Sequence, residues 1–106
     1  MTDIYVNKDQ WEAIDDSEKK NIIDGLVGTG AMSASDVIKP DASIPPFDPE
    51  KTIELQWDPV RDLCLIACDA AMAAAFTWCA ANTAGLGLVA CRAAAYALRN
   101  KCREGC

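Results

Sequence analysis

The chain has 106 residues, a net charge of −6 and no histidine, which limits it to one small domain or a short tail plus a smaller one. Residues 1–59 carry thirteen acids against five lysines, whereas residues 60–106 carry five basic and three acidic residues. So acidic a chain, with only a mildly cationic second part, gives no footing for nucleic-acid binding, and the asymmetry points to two functional segments.

The opening MTDIYVNKDQWEAIDD has neither the basic start nor the apolar run of a secretory signal. Residues 8–30 read as helical. Trp11 and Ile14 stand three apart, and Ile22, Ile23, Leu26 and Val27 repeat at helical spacing behind a candidate N-cap at Ser17. Gly28 and Gly30 are natural stops. One broken helix or two short ones are expected, with a thin apolar stripe. Residues 1–30 then form an acidic helical leader or pro-segment.

Residues 31–57 are a Pro-rich linker, extended and partly polyproline-like, with Pro40, Pro45, Pro46 and Pro49 among scattered Ser and Asp. KTIELQW at 51–57 alternates enough for a short strand. At WDPVRD, Asp58 suits an N-cap and Pro59 the first helical position, where a missing N–H costs nothing. A helix over about 59–81 is expected from there. NTAGLG at 82–87 breaks it, and a second helix over about 88–104 follows, with cationic residues near its C-terminus.

All six cysteines lie in this last part, at 64, 68, 79, 91, 102 and 106, a palindrome centred on Gly85. At 100° per residue, Cys64, Cys68 and Cys79 share one stripe of the first helix, and Cys91, Cys102 and Cys106 one stripe of the second. An antiparallel hairpin turns the two stripes toward each other. Of the fifteen possible pairings, only the nested set, Cys64–Cys106, Cys68–Cys102 and Cys79–Cys91, keeps each pair level along both helices. Disulfides need Cα atoms about 5.5–6 Å apart, closer than the usual 8–10 Å between helix axes. Small residues must therefore stand between the staples, and Ala75 opposite Ala95 meets that need. Residues 58–106 thus read as a disulfide-stapled helical hairpin, and the fold class as all-α.

Metal binding is the weaker reading of these cysteines, because the close spacings are C-x3-C and no histidine accompanies them. Thioether links to backbone carbons are a further alternative, but those need cysteines in one arm alone. Residues 70–91 are uncharged and long enough to span a bilayer. Asn82, Thr83, Gly85 and Gly87 interrupt that run, and one continuous helix would break the cysteine symmetry.

No catalytic set is visible: a cysteine nucleophile has no His base, and no Gly-rich phosphate loop or metal-ligand spacing is present. The chain is read as no enzyme, with no cofactor and no metal. Around the hairpin, Leu65, Asp69, Met72 and Phe76 share one side with Arg92, Tyr96, Arg99 and Arg103, an apolar strip beside a cationic one. The opposite side is mostly alanine, with Leu63 and Trp78 nearby. Two helices cannot hide apolar residues on both sides, so a partner is required: the leader, a second copy or lipid.

In its composition and its pattern CLIAC…C…C…CREGC, residues 60–106 resemble the small Ala- and Cys-rich bacteriocins of the fulvocin and halocin type, released from longer precursors. GLVGTGA is also similar to the glycine pair at which some exported leaders are cut, although Thr29 departs from it. The resemblance implies a secreted antimicrobial peptide whose cytoplasmic precursor leaves by a non-standard leader, with export or processing machinery recognising residues 1–30. Arg92, Arg99, Lys101 and Arg103 would draw the tail to an anionic membrane surface. Leu65, Met72, Phe76, Trp78 and Tyr96 would enter the interface. The alternative is a non-enzymatic hairpin that binds a target-cell protein, similar to plant hairpin inhibitors or mitochondrial intermembrane chaperones. This chain departs from both in its third cysteine per helix and its alanine content.

Overall fold

The computed structural model describes residues 2–48 and 63–105. In DIYVN, alternate residues turn Ile4 and Val6 inward and leave Tyr5 outside, and these five residues form strand β1 (Asp3–Asn7). Asn7 ends the strand and caps helix α1 (Lys8–Glu12), its side chain accepting from the Gln10 N–H at 3.0 Å. Helix α2 (Asp16–Gly28) follows, capped by Asp15, whose carboxylate accepts from the Glu18 N–H at 2.7 Å. The region expected as one broken or two short helices is therefore two, and the cap is Asp15, not Ser17. Gly30, at φ +83°, ends the turn after α2 in a conformation that glycine adopts without strain.

Strand β2 (Val37–Asp41) lies in the stretch read as linker and pairs with β1 in parallel, Asp3 opposite Val37 and Asn7 opposite Asp41. An all-α chain is thus corrected: a two-stranded sheet stands beside the helices. Parallel strands need a crossover, and α1 and α2 supply it. Pro40 is tolerated because the Val37 N–H donates to Thr2 O at 2.9 Å. In a parallel ladder that fixes Val37, Lys39 and Asp41 as the residues bonded to β1, so the missing N–H of Pro40 falls on the outer edge.

Helices α3 (Leu63–Asn82) and α4 (Leu86–Glu104) pack together as the expected hairpin. The side chains of Asn82 and Thr83 close the end of α3, donating to Trp78 O at 2.9 Å and Cys79 O at 2.6 Å. Gly85, at φ +58°, makes the turn. The staples Cys68–Cys102 and Cys79–Cys91 are formed, each with Cα atoms 5.8 Å apart. Cys106, the end of the third nested pair, lies outside the described residues, as do the Asp58 cap, Pro59 and the strand considered at 51–57.

Such close helices bury alanine, not a core of large side chains. Ala75, Ala94 and Ala95 are buried between or beside them. The bulk comes from the N-terminal half: Ile4, Val6, Trp11, Ile14, Ile22, Leu26, Met32 and Ile38 join Ala75, Cys79, Ala90, Cys91, Ala94, Ala95 and Leu98 in one core. The hairpin therefore obtains from residues 2–48 the apolar volume it cannot supply.

Loops of 12 and 34 residues separate the two described pairs. On the chain-entropy estimate, Cys79→Ala with Cys91→Ala and Cys68→Ala with Cys102→Ala each lower stability by about 3 kcal/mol, because the inner staple shortens the ring that the outer one closes, read from denaturant unfolding. Cys79 and Cys91 are fully buried whereas Cys102 is exposed. Limiting reductant should therefore open Cys68–Cys102 first, as mapped by alkylation of the freed thiols.

Candidate functional site

The structure brings together the side of the hairpin singled out by sequence, but turns part of it inward. Asp69 and Met72 on α3 are buried, with Leu65 and Phe76 half-buried beside them. From α4, Arg92, Tyr96, Arg99 and Arg103 meet this side. The arginines are engaged within the hairpin. Arg99 Nε donates to Asp69 Oδ1 at 2.7 Å, and Arg103 Nη1 donates to both carboxylate oxygens at 3.0 and 3.1 Å. With side chains only 12%, 24% and 11% exposed for Arg99, Arg103 and Asp69, this cluster is largely sheltered from water. The guanidinium of Arg99 also lies 5.8 Å from the Tyr96 ring centre, within cation–π range.

Arg92 sits 5.9 Å from the centre of the Phe76 ring, and its buried Nε has no hydrogen-bond partner among the described residues. Lys101 is exposed, 3.7 Å from Glu104. The cationic strip is thus mostly spent on contacts with the hairpin's own acids and rings, and little of it faces solvent as free charge.

A side chain from the N-terminal half completes the cover. Asn7 Nδ2 donates to Ile44 O at 2.8 Å. Gln10 makes a two-point clamp on Phe47, donating to its carbonyl and accepting from its N–H, both at 2.8 Å. Held so, Phe47 places its ring edge-on to Phe76, with centres 6.2 Å apart, and tilted against Tyr96 at 5.6 Å. Geometries of this kind favour aromatic pairs by about 0.5–1.5 kcal/mol beyond burial. Phe76 and Tyr96, expected to enter lipid, are covered by this third ring.

On the other side, Trp78 packs against α2 at Gly25, where a Cβ would collide with the indole ring. Gly87 at the start of α4 leaves room for the Glu18 carboxylate, which a Cβ there would meet at 2.6 Å. Ala90 and Ala94 are buried on this side, while Ala67, Ala70 and Ala74 remain exposed. The partner that the alanine-rich face requires is, for α4, the chain's own front half.

Sequence reasoning missed Asn7, Gln10, Gly25 and Phe47. Only Gly25 left a signal, a glycine interrupting an otherwise regular amphipathic helix. The described residues contain no group of three His, Cys, Asp or Glu side chains placed to hold a metal ion.

Compared with known proteins, the chain matches no family model, no curated protein and no solved structure.

Burial works to raise the Asp69 pKa, but the hydrogen bonds and charges of Arg99 and Arg103 outweigh it and hold the carboxyl below its ordinary value. The folded chain thus binds this proton more weakly than the unfolded one. Its contribution to stability is full above the unfolded carboxylate value, about 3.9, and fades as pH falls through the lower folded value. Asp69→Asn strands two sheltered guanidinium groups and should cost about 3 kcal/mol near neutrality. The loss should shrink toward acid pH, as followed by thermal unfolding across a pH series.

Proposed function

We propose that the chain is the precursor of a secreted, bacteriocin-like peptide. Residues 60–106 form the active hairpin, and the acidic front half is its leader and cover. One observation carries this reading. Both described staples lie inside the hairpin, and the front half has no cysteine, yet that half buries the apolar face of α4 and caps its aromatic side. Cutting the connection would free a covalently closed object with newly exposed apolar surface. A hairpin held by packing alone would fall apart at that step.

The released surface would include Leu98, Ala94 and Trp78, together with Phe76 and Tyr96 once Phe47 leaves. Within the described residues, α3 is also long and apolar enough to cross a membrane, by length and composition. Surface of this kind suits an interface of lipid headgroups and acyl chains, where amphipathic helices bind in proportion to buried apolar area.

The engagement of Arg99 and Arg103 by Asp69 favours one second reading, a hairpin that binds a target-cell protein through packing rather than charge. Ionic strength separates the two, because salt screens exposed charges far more than packed ones.

Cutting the oxidised chain within residues 49–62 should raise leakage from anionic vesicles well above that of the intact chain. Gly25→Val, which forces Trp78 from its seat, should raise leakage by the uncut chain while lowering its stability by about 1–3 kcal/mol. Absence of leakage by every form at low salt would remove the membrane mechanism and leave the protein-binding hairpin.

A further inference from the structure

A groove of about 590 Å³ runs between β1 and α4, with Ile44–Phe47 as its third wall. All five residues of β1 line it and none of β2 does, so it follows the edge of β1 that faces away from β2. The ladder assigns the backbone groups along that edge. Because Thr2 O accepts from the Val37 N–H, the groups of Ile4 and Val6 point toward β2. Those of Asp3 and Tyr5 point the other way, along the groove.

The two edges of this sheet are treated differently. On β2, Pro40 occupies an outward-facing position and blunts the edge, as natural sheets commonly do against unwanted pairing. No proline or bulge interrupts the edge of β1. Ala93 and Ala97 leave space on α4 beside it, and Tyr96 and Phe47 supply aromatic walls. Charge selects the occupant: Asp3, Asp48 and Glu104 line the groove with Lys101, in a chain of net charge −6. The rim keeps an acidic surplus even with Lys39 paired to Asp3 at 3.2 Å and Lys101 to Glu104 at 3.7 Å.

We propose that this groove binds an extended, basic peptide segment of another protein, added to β1 as a third strand. Main-chain bonds to Asp3 and Tyr5 give the pairing, and every second side chain rests on the Ala93–Ala97 surface. Basic side chains meet the carboxylates of the rim. One wall belongs to the front half and another to the hairpin, so the site exists only while the two are docked. It is a property of the uncut chain and does not depend on whether the freed hairpin acts on lipid.

The test is titration of the oxidised, ¹⁵N-labelled full chain with the blocked peptide Ac-KVKVKVK-NH2 and with its acidic counterpart Ac-EVEVEVE-NH2. The basic peptide should shift amide signals of residues 3–7 and 93–101 and bind at least about tenfold tighter than the acidic one. Added salt should weaken it. Tyr5→Pro removes an N–H of the free edge without touching the β1–β2 ladder, and Ala97→Arg places bulk and positive charge in the groove. Each should reduce affinity by about tenfold or more, with signal dispersion retained. Unmoved signals, equal binding of both peptides, or wild-type affinity in both variants would overturn the proposal.

Discussion

The covalent tie between two helices governs this molecule. Disulfides with 5.8 Å between Cα atoms tie α3 to α4, and the seam between them is lined with buried alanine. Alanine buries little area, so the stapled pair gains little from the hydrophobic effect by itself. The front half fills the deficit. Its isoleucines, leucine and tryptophan form with the seam a core that neither half could close alone. A covalent constraint in one segment thereby creates a packing demand met by another.

Electrostatics follow from the same geometry. With the helices held close, Asp69 on α3 lies within reach of two arginines on α4, and a sheltered carboxylate with two partners results. Charges counted on a helical wheel are a poor guide to charge available outside. Arg99 and Arg103 share the one Asp69 carboxylate, which offsets one of their two charges, and Arg92 rests on a ring. The hairpin is therefore less cationic in contact than in composition, which shifts weight from charge toward apolar area in any account of how it engages a surface.

The hairpin was legible in the sequence because its determinants are local or symmetric. The cysteine palindrome, the glycine at its centre and the abundant alanine each constrain the same two helices. The sheet was not legible. DIYVN is five residues long and its partner stands more than thirty residues away, so no local period links them. Pro40 disguised that partner as linker, although a proline on an outer edge breaks no ladder bond. Helix α2 was readable as amphipathic, yet its cap slipped by two residues because Asp15 and Ser17 are both good caps and only the folded turn distinguishes them. At the site, the residues of the arginine strip and of its side of α3 do meet, but Asp69 and Met72 are buried there and not on the outer surface, while Phe47 was hidden among prolines. Its position depends on a clamp by Gln10, thirty-seven residues away.

Nesting of the staples makes them interdependent. Once Cys79–Cys91 is closed, the ring still to be fixed by Cys68–Cys102 shrinks from 34 residues to the difference between 34 and 12, or 22. Each closure thus lowers the entropic cost of the next one outward. The stapled helices close like a zipper whose fastest tooth is beside Gly85, and they open most readily from the end farthest from that turn.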